Sequence, residues 1–140
     1  MRLVLDTNVV VSALLWRGTP YRLLEAIRQK PGVRLHSSPA LLDELTDVLT
    51  RPFAETRLTL LAKTSREAVA DYSEAVEWVE PDEVPRVILA DSDDDQVLAA
   101  ALAARADLIV SGDAHLLNLK NFQGIPIVNA SQALSRIGQG

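Results

Sequence analysis

Apolar residues follow two rhythms along this chain. Short, nearly continuous runs recur at Arg2–Leu5, Val33–Ser37, Val87–Leu89, Asp107–Val110 and Ile125–Val128. Runs of this length bounded by turn residues read as strands buried on both faces. Between them, apolar positions recur at the three- and four-residue spacing of one helix face. Val9–Trp16 starts a helix after the turn residues Thr7 and Asn8. Gly18-Thr19-Pro20 ends it and opens another, with Thr19 as N-cap, Pro20 at the first helical position and Leu23, Leu24 and Ile27 facing inward. Ser38-Pro39 opens a helix that runs to about Arg51, and Phe53–Lys63 forms the next. Ser65 is placed to cap a helix over Arg66–Val79, whose Val69, Tyr72, Val76 and Val79 share helical spacing. A helix follows the acidic run at Asp91, a short turn spans Ala114–Leu119, and Ala130–Ile137 closes the chain. Alternating strands and helices predict an α/β fold, three layers α/β/α around a central parallel sheet. No linker or repeat interrupts the pattern, so a single domain over residues 1–140 is expected.

Composition narrows the setting. A chain of 140 residues, 48% of them hydrophobic, has enough material for a real core. The absence of cysteine excludes disulfides and thiolate metal sites and agrees with a reducing compartment. Asp6 interrupts the N-terminal apolar run, which therefore does not read as a secretory signal, and no stretch reaches the length of a membrane span. A soluble cytoplasmic protein with no membrane contact is expected. The net charge of −5 is unevenly spread: residues 1–66 hold ten Lys/Arg and six Asp/Glu (+4), and residues 67–140 hold four and thirteen (−9). This asymmetry fits solvated helix faces as well as it fits a polyanion-facing half, and bound divalent cations would reverse the local sign of an acidic site.

The acids carry the candidate chemistry. Ligands of α/β proteins bind outside the carboxyl ends of the strands, and several carboxylates converge on that rim. Asp6 ends the first strand inside an apolar segment, where burying a charge is costly. On the helix after Ser38, the apolar stripe Leu41, Leu42, Leu45, Val48 and Leu49 sends Asp43 and Asp47 to solvent and leaves Glu44 at its edge, in the first two turns. Asp91, Asp93, Asp94 and Asp95 are more acids than helix capping requires. Asp95 opens the buried segment Val97–Ala104, with Asp94 next to it as the alternative. Asp113 follows the strand Asp107–Val110 behind Ser111-Gly112. Carboxylates gathered without a local excess of Lys or Arg repel one another, and hard divalent cations relieve this. Oxygen ligation suits Mg²⁺ or Mn²⁺, and phosphodiester hydrolysis is the reaction such a site serves best.

The stretches LVLDTNVVVSALL, SSPALLDELTDVLTRP, DSDDDQVLAAALAARADLIVSGDAHLL and GIPIVNASQAL together resemble the PIN-domain family of metal-dependent nucleases, over essentially the whole chain. The likeness is greatest to the PIN proteins that serve as toxins of bacterial and archaeal toxin–antitoxin pairs. The resemblance implies a three-layer α/β/α fold and a ribonuclease that holds one or two Mg²⁺ or Mn²⁺ ions on an acidic quartet. The quartet's first, second and fourth acids fall on Asp6, Glu44 and Asp113, and the third on Asp95 or Asp94. Asn8 and Ser111 match polar positions that support the metal site. It further implies an RNA substrate, an antitoxin protein that masks the site, and a homodimer.

Other chemistries meet missing residues. A haloacid-dehalogenase-like phosphatase needs an aspartate where this chain has Asn8, and its lysine has no counterpart, since Lys120 follows the last acid. A receiver domain needs an acidic pair before its phosphoacceptor strand. No Gly-rich phosphate loop or GxSxG elbow is present. A PIN-fold scaffold that binds RNA or a partner without cutting is the remaining alternative, and the intact quartet argues against it. His36 reads as structural. His115 lies near enough to the rim to touch substrate. Trp16 and Trp78 read as packing residues, and Arg17 and Arg51 as candidate phosphate contacts.

Overall fold

The computed structural model describes residues 1–81 and 92–139. Among the described residues, strand β1 (Arg2–Leu5) lies inside a six-stranded sheet. Parallel neighbours are β2 (Arg34–Ser37) on one side and β4 (Leu108–Val110) on the other. Beyond β2 comes β3 (Val76–Trp78), and beyond β4 come β6 (Ile125–Val128) and β5 (Asn121–Phe122), giving the order β3-β2-β1-β4-β6-β5. All pairings are parallel except β5 with β6. The chain builds outward from β1 in one direction and then in the other, so the order reverses between β1 and β4. Connections leaving such a switch point diverge and open a crevice at the strands' carboxyl ends.

Alternation along the strands assigns the two faces. Leu3, Leu5, Leu108, Val110 and Val128 enter the core beneath α1 (Thr7–Leu15), α2 (Thr19–Gln29), α3 (Pro39–Leu49), α4 (Pro52–Leu60), α5 (Ser65–Ala75) and α8 (Ala130–Gln139). Val4, Ile109 and Ile127 face the opposite layer, α6 (Ser92–Ala104) and α7 (Ala114–Leu117). Both faces are covered, as continuous apolar strands require. The fold is the three-layer α/β/α arrangement that the pattern predicts.

Helix α6 packs on the sheet largely through alanines. Val97, Leu98, Ala100, Ala101 and Ala104 share a core cluster with Val4 and Ile109, and Ala99 is buried as well. At about 100° per residue, Asp94 lies about 50° from the centre of that sheet-facing stripe and Asp95 about 150° away. Asp94 therefore heads the row that rests on the sheet, above the carboxyl ends of β1 and β4. Both side chains are buried.

The differences from the predicted elements are local. Residues 76–78, expected to end a helix, form β3 instead. Val76 continues the helical spacing of Ala68 and Tyr72, which hides the strand, yet the segment pairs with β2 from Leu35 to Ser37 and Val79 N–H donates to the Ser37 carbonyl. Thr64, not Ser65, caps α5, in a reciprocal capping box with Glu67. Gly18 rather than Thr19 is the N-cap of α2. The two-residue antiparallel β5 has no apolar run to announce it. The expected strand at Val87–Leu89 lies outside the described residues. Trp16 and Trp78 are exposed rather than packed in the core, and the Arg57 guanidinium lies 4.5 Å over the Trp16 ring.

His36 of β2 faces the α6 side beside Val4, 8% exposed, and neither ring nitrogen has a hydrogen-bond partner among the described residues. Burial lowers its pKa below the ordinary 6.5, and Arg2 and Arg34 lower it further against the opposing pull of Glu77. The unfolded chain therefore binds a proton that the native imidazole refuses. The His36 contribution falls as pH drops from about 6.5 toward the lowered native value and is complete above 6.5. Urea midpoints between pH 5 and 7.5 are expected to be less pH-dependent in His36→Phe than in the parent. Equal slopes would show that the imidazole titrates alike in both states.

Candidate metal centre

Three of the predicted acids, Asp6, Asp94 and Asp113, gather at the carboxyl ends of β1 and β4. Asp6 follows β1 and is the N-cap residue of α1, and its amide donates to the Val110 carbonyl at 2.8 Å, tying the ends of the two strands together. Ser111 follows β4, fully buried. Its hydroxyl donates to Asp6 Oδ2 at 2.7 Å and accepts from the Asp113 amide at 2.9 Å. One serine thus fixes two carboxylate-bearing segments relative to each other. Asp113 caps α7, its Oδ1 accepting from the His115 amide at 2.7 Å and lying 3.3 Å from the His115 ring Nδ1. From the helix layer above, Asp94 reaches the same place: one ligand atom each of Asp94, Asp113 and His115 lie within 4.8 Å of one another.

The structure brings Asp6 and Asp113 together through Ser111, and Asp94 and Asp113 together directly. Asp6, Glu44 and Asp95 stand outside the 4.8 Å group. Glu44 is half-buried on α3, whose Leu41 joins the α6-side core. Asn8 is exposed on the rim and, with Thr19, Ser111, Asp113, His115 and Asn129, lines an open cleft of about 610 Å³. Arg17 and Arg51 are engaged within the chain, Arg17 over the Tyr21 ring at 4.4 Å and Arg51 with Asp47 at 2.9 Å.

Burial pushes the Asp6 carboxyl above the ordinary 3.8, and the Asp113 charge pushes the same way, against the Ser111 hydroxyl and the amides of Thr7 and Asn8. A carboxylate held at a disadvantage beside others gains most from a cation, and the donors that converge here suit a divalent ion. The group thus fits the cation expected from the sequence.

The family model for the PIN domain matches residues 2–115. This chain belongs to the PIN-domain family. Among solved structures, the PIN fold here is similar to a chain in the crystal structure of VapBC2 from Rickettsia felis bound to a DNA fragment from their promoter. The TM-score is 0.63 at 14% identity, covering 92% of this chain and 98% of that one. No curated protein matches the chain.

In this PIN domain the weight on Ser111 is testable. Ser111→Ala removes the donor to Asp6 and orphans the Asp113 amide, so Mn²⁺ affinity is expected to fall about tenfold or more, the usual cost of losing a group that orients metal ligands. Calorimetric Mn²⁺ titration checks it, and unchanged affinity would mean that the carboxylates hold their places without the serine.

Proposed function

We propose that this PIN domain is a Mg²⁺- or Mn²⁺-dependent ribonuclease and the toxin of a toxin–antitoxin pair. The observation that carries the reading is the Asp6–Ser111–Asp113 hydrogen-bonded chain, lying beneath Asp94 at the switch point of the sheet. Asp6, Asp94 and Asp113 would hold the cation, with Glu44 and Asp95 as the further acids of the site. When bound, the ion supplies positive charge and Lewis acidity against the phosphate.

The chain's own groups do the rest. Ser111 keeps Asp6 and Asp113 oriented, so little reorganisation is needed when substrate arrives. Asn8 offers an amide donor on the rim for a phosphate oxygen, and the cleft beside it has room for the backbone of a single strand. Water oxygen bonds to phosphorus in line as the bond to the leaving 3′ oxygen breaks, and that oxygen takes up a proton. Two exposed apolar side chains two turns apart on one face of α4, Phe53 and Leu60, supply surface for the protein partners of this reading, an antitoxin and a second copy of the chain. The fold likeness to a VapBC2 chain supports the pairing. A cytoplasmic setting agrees with the lack of cysteine, and among the described residues no helix is long and apolar enough to cross a membrane.

The test is cleavage of a panel of single-stranded and structured RNAs by purified protein. Cutting is expected with Mn²⁺ or Mg²⁺, lost in EDTA and regained on adding either ion. Failure to cut any RNA while calorimetry shows the ion bound would overturn the ribonuclease reading. Induced expression is expected to arrest growth, and normal growth with active enzyme present would remove the toxin role.

A further inference from the structure

His115 belongs to none of the acidic positions that the family resemblance maps onto this chain, yet its ring stands among them. One imidazole nitrogen lies within 4.8 Å of carboxylate oxygens of both Asp94 and Asp113. Donors sit about 2.0–2.2 Å from a small divalent ion, so two on one ion are about 3 Å apart when adjacent and just over 4 Å when opposite. The observed spacing is that of three ligands around one ion after a small side-chain adjustment. The local chain holds the ring there: Asp113 Oδ1 accepts from the His115 amide and contacts its Nδ1, so the cap that starts α7 also aims the imidazole. The ring is more than half exposed and lines the open cleft, so no packing role accounts for its position.

We propose that His115 is a nitrogen ligand of the metal, joining Asp6, Asp94 and Asp113 in a mixed site. This rests on the metal-site reading above and deepens it. An imidazole donor favours Mn²⁺ and later transition ions over Mg²⁺, which takes oxygen almost exclusively. The sequence supports an all-oxygen quartet indifferent to the choice between Mg²⁺ and Mn²⁺; an imidazole beside the carboxylates tilts the site toward Mn²⁺, while the oxygen donors still accept Mg²⁺.

The chain's two histidines permit a direct test. Protein labelled with ¹⁵N-histidine is loaded with Mn²⁺ and measured by pulsed electron paramagnetic resonance. A ¹⁵N hyperfine coupling is expected in the parent and in His36→Phe, and absent in His115→Ala. Calorimetry should show Mn²⁺ affinity falling about tenfold or more in His115→Ala while Mg²⁺ affinity changes little, the effect of losing one imidazole ligand. The substitution keeps the residue-115 amide that donates to the Asp113 cap and removes an exposed ring, so the fold is retained, and His115→Gln gives a second variant. Bound Mn²⁺ with no nitrogen coupling, or equal losses for both ions, overturns the ligand assignment and leaves the carboxylate site standing. No Mn²⁺ binding by the parent overturns both.

Discussion

Asp6→Asn is expected to reduce metal-dependent RNA cleavage by about a thousandfold or more while raising the melting temperature of the metal-free protein. The two effects have one cause. Asp6 is 4% exposed, disfavoured as an anion by burial, and further opposed by the Asp113 charge. In the metal-free protein that charge is a liability. As pH rises from the ordinary 3.8 through the raised native value, the unfolded chain releases its proton before the folded chain does. Stability therefore falls across that window, and the full penalty stands at neutral pH. Asparagine has no charge to penalise, and its carbonyl oxygen still accepts the Ser111 hydroxyl. A gain of about 1 kcal/mol is the usual yield of relieving a strained functional position, or about 3 °C for a chain of this size. The gain should shrink as pH is lowered toward 4. Scanning calorimetry in EDTA at pH 7.5 and 4 measures it beside the cleavage assay. A variant that melts lower at pH 7.5 would mean that the Asp6 anion is well solvated in the fold, and retained cleavage would remove Asp6 from the site.

The sequence states the sheet interior almost completely, because strands buried on both faces must be apolar throughout, and such runs at Arg2–Leu5 and Ile125–Val128 have no other reading. It was silent at the sheet edges. An edge strand is held by backbone hydrogen bonds on one side only, so Val76–Trp78 needs little apolar character, and Val76 happens to extend the stripe of Ala68 and Tyr72. The two residues of β5 give no periodicity to detect.

The site was legible to the same degree. Asp6 and Asp113 stand at strand ends, where position alone assigns the rim. Between Asp94 and Asp95 the sequence could not choose, since the alanine-rich helix is buried nearly all round and defines no single stripe. The helix's rotation on the sheet is why Asp94 is the one proposed: the row that meets Val4 and Ile109 runs through it. His115 reads from sequence only as a residue near the rim. Its approach to the acids depends on how the Asp113 cap turns the chain into α7, a three-dimensional outcome that residue spacing does not carry.

That rotation makes α6 the part of the fold on which the acid is aimed, and Ala101→Leu should expose this. Ala101 is fully buried two turns below Asp94 on the same row, in the core cluster with Val4 and Ile109 between α6 and the sheet. Adding a leucine there forces the helix outward, and overpacking of this kind costs about 1–3 kcal/mol. Native packing is dense and transmits such a shift, so Asp94 moves relative to Asp113, which is anchored separately through Ser111. Displacing a ligand of a small cation should lower Mn²⁺ affinity by about 10–100-fold, the range seen when ligand orientation is lost. Ala103→Leu, on the exposed side of the same helix, is the control and should change neither quantity. Urea denaturation and Mn²⁺ titration on both variants separate the outcomes. Stability lost with affinity unchanged would mean that the position of α6 does not set the metal site, and would remove Asp94 from the ligand set.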